Sequence, residues 1–366
     1  MAGSITPYET AAGKRYRVRY RKPDKSQTDK RGFRTKKDAE LFLASVTVSK
    51  AKGEYLDPTE GRKLLSAFHR PWEAERLAPL KPSSRQAMET AWRVHVEPKW
   101  AGREVLGIKR SEIAEWVAEL GKEKSAQTVR RAMFVLSGVL TIAARERAIP
   151  LNPAIGVALP AKRRKSPRYL THSQVATLSS CATDDTTRVL IELFAYAGPR
   201  WGEAVAIRVR HLNMLRKRIR IEDNAVIVNR VYEIGTPKSG QPREIPIPPH
   251  IVKPIAHLCE GKGPDEFVFG DGTDPIPYPH ATSGWFVKTV RAAQAKDKTI
   301  PSITPHDLRH TAASLAVSSG AHVKAVQRML GHASAAMTLD VYADLFDDDL
   351  EAVAKAMSAA RKVAVS

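Results

Sequence analysis

The sequence predicts a multidomain α+β protein: a small β-sheet with a helix, then an all-helical domain, then a mixed, mainly α-helical domain. Three patterns support this prediction. Basic and apolar residues alternate over 15–21, apolar residues recur with helical spacing from about 64 to 158, and strand-like runs interrupt a helical region after 217. The 366 residues suffice for two or three domains that each bury a core. We predict domains at residues 1–60, 64–160 and 169–366, with a basic linker at 161–168.

The first segment contains a strand with one cationic face. Tyr16, Val18 and Tyr20 alternate with basic residues, and this two-residue period is typical of a half-buried strand. The basic residues are Arg15, Arg17, Arg19 and Arg21. A second strand near Lys30–Phe33 and a helix over 36–55 would complete the domain. A basic ribbon beside a helix suits a DNA groove, whereas the alternative is a solvated edge strand protected by its charge.

The second segment predicts a four-helix domain, which follows a linker at 57–61. Ser111 and Ser125 occupy positions typical of helix N-caps, and Pro98 separates two helical segments. No strand-like alternation interrupts this region. We therefore expect an all-helical module with basic residues on its exposed faces.

The charge of the chain indicates a polyanionic partner. Lys and Arg number 59 against 39 Asp and Glu, a formal net charge of +20. Neutralising phosphates and releasing their counterions would favour double-stranded DNA, although a generally basic protein is the alternative. The linker at 161–168 is expected to cross DNA, and a solvated linker is the alternative here. Beyond the first strand, the expected DNA contacts are Arg130, Arg131, Lys162, Arg163, Arg164 and Lys165.

Several function classes are disfavoured by composition. No apolar run approaches the roughly 18 residues that a membrane span needs, and the N-terminus lacks the apolar core of a signal peptide. We therefore expect a cytoplasmic protein without a membrane partner. Cys181 and Cys259 are far apart, with no Cys-x-x-Cys motif and no spaced Cys/His set, which argues against a structural zinc site or a disulfide framework.

The third segment begins with a predicted capping box from Thr171 to Gln174. An apolar helix over 186–197 is followed by a break at Gly198-Pro199 and a short helix over 200–209. The strands predicted next are 218–222, 225–234 and 243–248, with a turn at 236–240. Arg200 and Glu203 lie three positions apart on the short helix and therefore share a face. Taken alone, this pair is better interpreted as a surface ion pair.

The helix after Ile303 gathers positive groups at its N-terminus. Thr304 is the predicted N-cap, and His306, Arg309 and His310 follow with i, i+3, i+4 spacing. Cations at the positive end of a helix are unfavourable unless an anion binds there. A metal site is disfavoured because position 307 is Asp rather than the Glu of a metalloprotease helix, and Arg309 adds charge.

Further along, Gly331 ends a helix and His332 follows at once. Tyr342 lies ten residues later on a short helix that we expect Thr338 to cap. The motifs Leu-Arg-His-Thr and Leu-Gly-His, the spaced tyrosine, and Gly-x-Arg-x-x-Glu at 198–203 together resemble the tyrosine recombinases, the lambda-integrase-like family. The resemblance covers about 169–345. Residues 64–160 resemble the family's helical core-site-binding domain, and residues 1–60 resemble the arm-type DNA-binding domain of phage integrases, particularly those of mycobacteriophages.

The resemblance implies a role for each matching residue, in a catalytic domain of the tyrosine recombinase type. Tyr342 would be the nucleophile, His306 its proton acceptor, and Lys238 the acid that protonates the leaving 5′-oxygen. The groups implied to stabilise the transition state are Arg200, Arg309 and His332, with Glu203 and His310 in support. One departure is visible, because Pro199 stands where the family has another apolar residue before the first arginine.

The resemblance also implies partners. A homotetramer would exchange strands between core-type and arm-type attachment sites through a Holliday junction, helped by a host DNA-bending protein and an excisionase-type directionality factor. Neither a cofactor nor ATP is expected. A type IB topoisomerase and a non-enzymatic DNA-binding regulator are the alternatives.

The residues after Tyr342 suggest a tail helix. The chain is acidic as far as Glu351, and Leu350, Val353, Ala354 and Met357 then recur with helical spacing. We hypothesise that this stripe packs on a neighbouring protomer, with docking on its own domain as the alternative.

Overall fold

In a computed structural model, the chain divides into two compact units, Met1–Arg163 and Arg164–Ser366. The structure describes residues 3–23, 25–52, 55–57, 60–161, 168–237, 240–342, 354, 357–359, 361–362 and 365, without the side chains of 337 and 340–342. Among the predicted site residues, those outside this description are Lys162, Arg163, Arg164, Lys165, Lys238 and the side chain of Tyr342. Most of the proposed tail helix also lies outside it. Within the described ranges, no helix is long and apolar enough to cross a membrane.

The first unit begins with a three-stranded antiparallel sheet in the order β1-β2-β3. Its elements are β1 (Ser4–Thr10), β2 (Gly13–Arg21), β3 (Gln27–Phe33) and the following helix α1 (Lys36–Ala51). On β2, Val18 and Tyr20 are buried while Arg19 and Arg21 are exposed, which confirms the predicted two-faced strand. Strand β1 was not predicted from the sequence. Its residues are mostly exposed and carry no apolar alternation, so β2 is a central strand rather than an edge.

The helical part of the first unit packs around large aromatic side chains, including the buried Trp72 and Trp100. Its helices are α2 (Ser66–Arg76), α3 (Pro82–Ala91), α4 (Glu97–Trp100), α5 (Arg110–Glu123) and α6 (Ala126–Arg145). A π-helical turn, Trp92–Val96, joins α3 to α4, so Pro98 lies in the first turn of α4 and does not end the helical segment.

The predicted N-caps of this region had different outcomes. Ser125 caps α6 and accepts a hydrogen bond from the backbone N–H of Thr128, as predicted. The prediction for Ser111 is wrong, because α5 begins one residue before it and Lys109 is the N-cap. Glu112 accepts the Lys109 backbone N–H at 2.9 Å, and this bond fixes the earlier start.

Two other expectations for the first unit need correction. Arg130 and Arg131 are half-buried rather than exposed, and the Arg130 Nε donates to the Pro160 carbonyl at 3.1 Å. Long aliphatic stems commonly pack on a surface in this way. Gly61, the last residue of the predicted linker, is buried, and a Cβ there would lie 3.0 Å from the Ala148 carbonyl oxygen. The end of that segment is therefore packed.

The second unit contains two small sheets among helices. Its helices are α7 (His172–Ser180), α8 (Asp185–Ala197), α9 (Trp201–Val205), α10 (Pro249–Leu258), α11 (Trp285–Lys296), α12 (Pro305–Ser318), α13 (Val323–Leu330) and α14 (Ala335–Tyr342). Its strands are β4 (Leu212–Asn213), β5 (Arg218–Ile221), β6 (Asn224–Val228), β7 (Val231–Gly235) and β8 (Arg243–Pro246). One sheet has the order β4-β5-β8, and β6 and β7 form a separate hairpin. The predicted capping box of Thr171 and Gln174 is present at the start of α7.

Three predicted elements of this unit differ from the structure. The strand predicted over 225–234 is the β6–β7 hairpin, because Asn229 and Arg230 have φ values of +50° and +68° and form a tight two-residue turn. The short helix α9 covers only five residues, with Arg200 at its N-cap. Helix α14 begins at Ala335, so Thr338 does not cap it and instead lies buried inside it.

Candidate active site

The C-terminal end of α13 is a meeting point for three arginines. Gly331, with φ +65°, ends the helix and leaves its last carbonyl groups without partners inside the helix. Three successive carbonyl oxygens accept arginine N–H groups instead. The Met329 carbonyl accepts from Arg243 at 3.2 Å, and the Leu330 carbonyl accepts from Arg309 at 2.6 Å. The Gly331 carbonyl accepts from Arg200 at 3.5 Å. Cations are favourable at this negative end of the helix dipole. Residues from strand β8 and helices α9 and α12 are thereby held at one turn.

Arg309 is also tied to the end of α8. The arginine is only 4% exposed, and its Nη1 donates to the Gly198 carbonyl at 2.6 Å. Gly198 has φ +63° and ends α8 in the left-handed conformation, where a proline commonly follows. The unusual Pro199 therefore suits the backbone at this helix end and does not displace Arg200 from the N-cap of α9.

Glu203 holds Arg200 in place, as the spacing predicted. Its Oε1 accepts the Arg200 Nη1 at 2.8 Å, and its Oε2 accepts the Arg200 backbone N–H at 2.9 Å. Glu203 is 1% exposed, so the interpretation as a surface ion pair is wrong. Burial raises the pKa of Glu203, but the bond and charge of Arg243, together with those of Arg200, outweigh burial and lower the pKa to about 2. The carboxylate is thus permanently ionised.

Arg243 was not identified from the sequence. It binds the same carboxylate, with Nη1 3.1 Å from Oε1 and Nη2 2.6 Å from Oε2 of Glu203. A signal was present, because Arg243 and Ile245 alternate with Glu244 and Pro246 along β8, and Ile245 is buried. A cation on the same side of a strand as core residues indicates an inward-facing charge that needs an anion.

The histidines at the start of α12 form the predicted cluster. The rings of His306 and His310 meet edge to face with centroids 5.0 Å apart. Desolvation, followed by the neighbouring His310 and Arg309, lowers the pKa of His306. Desolvation also lowers the pKa of His310. Both histidine rings are therefore mostly neutral near pH 7. At the same helix start, Asp307 accepts the Thr304 backbone N–H at 2.7 Å, which confirms the predicted beginning of α12.

His332 follows the arginine turn directly. Desolvation, then the charges of Arg309 and Arg200, lower the pKa of His332 to about 4. Its Nδ1 lies 2.9 Å from the hydroxyl of the buried Thr338 on α14. A hydroxyl that donates to Nδ1 leaves the proton of the neutral ring on Nε2, where it can be donated. This role of Thr338 has no signal in the sequence, because one threonine in a helix usually packs in the core.

The remaining predicted residues that the structure describes belong to other elements. Tyr342 is the last residue of α14, the helix that also carries Thr338. Arg15, Arg17, Arg130 and Arg131 belong to the first unit. In the part of the chain that the structure describes, no three His, Cys, Asp or Glu side chains are close enough to hold a metal ion.

Comparison with known proteins gives the class of this site. Residues 168–348 match the phage integrase family. The tyrosine recombinase XerD of Corynebacterium glutamicum is 31% identical over 240 residues, covering 63% of this chain and 74% of that protein. The integrase of Mycobacterium phage D29 is 24% identical over 325 residues, covering 84% of each.

Solved structures share the fold. The integrase of transposon Tn1549, in complex with transposon right end DNA, superposes with a TM-score of 0.66 at 20% identity over 80% of this chain and all of that one. A lambda integrase tetramer bound to a Holliday junction gives 0.56 at 19% identity, over 90% of this chain and 95% of that one. The fold and the family match define a tyrosine-type site-specific recombinase. The chain belongs to the phage integrase family, which confirms the resemblance found in the sequence.

Proposed function

We propose that this recombinase integrates phage or other mobile-element DNA into a bacterial chromosome through a 3′-phosphotyrosine bond and a Holliday junction. The observation that carries the proposal is the convergence of Arg200, Arg309 and His332 at the end of α13. Each arginine is held by backbone carbonyls or by Glu203, so its position does not depend on bound DNA. A positively charged, pre-arranged turn of this kind suits a phosphodiester.

Arg200 and Arg309 stabilise the transition state. Attack on the phosphodiester places extra negative charge on the non-bridging oxygens, and a guanidinium offers paired donors with a permanent charge. His332 adds a neutral donor through Nε2. Donors fixed in advance are effective because they need no reorganisation as the charge develops.

Two residues move protons in this scheme. His306, with its lowered pKa, is neutral near pH 7 and accepts the proton of Tyr342 as the tyrosine attacks. Lys238 protonates the leaving 5′-oxygen. If so, Lys238→Ala should cleave slowly, and a substrate with a 5′-bridging sulfur, whose leaving group needs no proton, should restore the rate. An equally slow rate on the sulfur substrate would remove Lys238 from this role.

DNA binding is assigned to surfaces of both units. The basic residues proposed to contact arm-type sites are Arg15, Arg17, Arg19 and Arg21, and those proposed near core-type sites are Arg130, Arg131, Lys162, Arg163, Arg164 and Lys165. The exposure of Arg19 and Arg21 on one face of β2 supports the first group. The lambda integrase complex supports a homotetramer on a Holliday junction. A host DNA-bending protein and a directionality factor would complete the assembly.

A suicide substrate, nicked so that religation is blocked, tests the covalent step. The wild-type protein should form an adduct with the 3′ end, and Tyr342→Phe should bind the same DNA without forming it. Tyr278→Phe is the matched control, because Tyr278 is half-exposed and its ring contacts Trp201, next to Arg200. An adduct formed by Tyr342→Phe at full yield would refute the assignment. Strand exchange between two different sites distinguishes a recombinase from a topoisomerase.

A further inference from the structure

We propose that Arg243 is a positioning residue for cleavage, acting through Glu203 and the turn Leu330–His332. This inference rests on the proposed role of Arg200 in stabilising the transition state. The guanidinium of Arg243 bonds both oxygens of Glu203 and also, through Nε, the Met329 carbonyl. One side chain thus links the residue that holds Arg200 to the helix end that carries His332.

The first step of the argument is the environment of Glu203. Its side chain is completely buried, and its neighbours Arg200 and Arg243 both donate to it. A buried carboxylate that loses one of two cations is left with uncompensated charge, so it reorients or takes up a proton. In either case Arg200 loses the rigid, bidentate partner that orients it. Arg243 therefore acts on Arg200 without touching it.

The second step is the turn itself. A Cβ on Gly331 would lie 2.8 Å from the Arg243 Nε and 3.0 Å from Cζ, so the backbone runs directly against the guanidinium. The Nε bond to Met329 fixes that approach. His332 is the next residue, and its place relative to Arg309 depends on the same turn. A loosened turn would therefore misplace two of the three proposed charge-stabilising groups.

The third step concerns the shape of the side chain. Arg243 bonds in two directions at once, with a fork on the carboxylate and Nε on a carbonyl. Lysine supplies a single ammonium and cannot reproduce both contacts. Its charge can still compensate Glu203. We therefore expect Arg243→Lys to recover only part of the activity that a neutral residue loses.

The test compares Arg243→Gln and Arg243→Lys with Arg220→Gln, a control on the adjacent strand. Arg220 is exposed and pairs with Glu222, and its β8 neighbour is Glu244 rather than Arg243. Single-turnover cleavage is measured on a normal phosphodiester and on a methylphosphonate, whose missing oxygen removes the charge that Arg200 neutralises. DNA affinity and thermal unfolding are measured for every variant. Wild-type adduct formation is the reference, and its absence would refute the proposed function rather than this inference.

Arg243→Gln should bind DNA like the wild type and cleave the phosphodiester about 100-fold more slowly, the usual effect of losing one oriented donor. On the methylphosphonate, the cleavage rate of Arg243→Gln should fall much less relative to the wild type. The phosphodiester cleavage rate of Arg243→Lys should lie between those of Arg243→Gln and the wild type. Arg220→Gln should cleave at the wild-type rate. Should the single variant unfold, Glu203→Gln/Arg243→Gln removes the unpaired carboxylate and should show the same preference for the neutral substrate. Equal losses on both substrates, or no loss, would overturn the inference.

Discussion

The guanidinium of Arg309 donates a 2.6 Å hydrogen bond to the carbonyl of Gly198, which ends α8. The bond joins residues 111 positions apart and is buried. The same glycine packs against the end of α13, since a Cβ on Gly198 would lie 2.7 Å from the Leu330 Cδ2. Gly198 therefore allows the end of α8 to approach the end of α13 closely, and its carbonyl also holds Arg309 of α12.

Gly198→Ala should destabilise the protein more than Gly261→Ala. Both glycines have positive φ, +63° and +74°, but the surroundings of Gly261 are open. Gly261→Ala should cost only the left-handed backbone penalty, roughly 1–2 kcal/mol. Gly198→Ala adds the clash with Leu330 and should also slow cleavage. Chemical denaturation and single-turnover cleavage check this, and equal unfolding free energies for the two variants would contradict it.

Thr338→Val should slow cleavage with little effect on folding. The change keeps the shape but removes the hydroxyl 2.9 Å from Nδ1 of His332, which we propose donates to that nitrogen and so keeps the ring proton on Nε2. A hydrogen bond contributes about 0.5–1.5 kcal/mol, so the rate should fall about 2- to 10-fold. Thr289→Val is the control, because Thr289 is buried and its hydroxyl donates to the Trp285 carbonyl of its own helix. A similar change of rate in both variants would count against the tautomer argument.

His332 should make the protein less stable in acid. Its folded-state pKa of about 4 is below the ordinary value of 6.5, so the unfolded chain binds the proton first as pH falls. Stability present above pH 6.5 is lost towards pH 4, by at most about 3 kcal/mol. His332→Gln should flatten this pH dependence, measured as unfolding free energy at several pH values. His257→Gln, at an exposed histidine, should leave it unchanged, and identical slopes in all three proteins would contradict the prediction.

Deleting residues 1–60 should leave core-site cleavage measurable and abolish integration that depends on arm sites. The deletion removes the basic face of β2 and keeps Gly61, which is packed against Leu106 and the Ala148 carbonyl. The double variant Arg19→Gln/Arg21→Gln removes basic charge from the same face but keeps the full-length chain, and it should fold because both residues are exposed. It should lose integration that depends on arm sites in the same way. Equal integration by the truncated and intact proteins would refute the arm assignment.

The sequence predicted those features that depend on local pattern. Alternation located the two faces of β2, and capping residues located the starts of α6, α7 and α12. The family motifs predicted that Arg200, Arg309 and His332 share one site. Each of these residues lies near a helix end, where local sequence signals are strong.

Features that depend on long-range pairing were missed. Strand β1 has little apolar alternation and exists because β2 pairs with it. The β6–β7 turn uses two non-glycine residues at positive φ, which no Gly or Pro marks. Arg243 acquires its role only from Glu203, 40 positions away in sequence. Thr338 contacts a residue only six positions away, His332, but no motif marks the threonine.

The arginines at the end of α13 have one further consequence, because Glu203 binds two of them, Arg200 and Arg243, at once. Two guanidinium groups on one carboxylate carry one more positive charge than the carboxylate balances. Arginine keeps its charge in proteins, and the pKa of Glu203 is lowered to about 2. The charge that Arg200, Arg243 and Glu203 present to a phosphate is therefore constant near neutral pH. Any pH dependence of the chemical step must come from other groups, such as the neighbouring histidines.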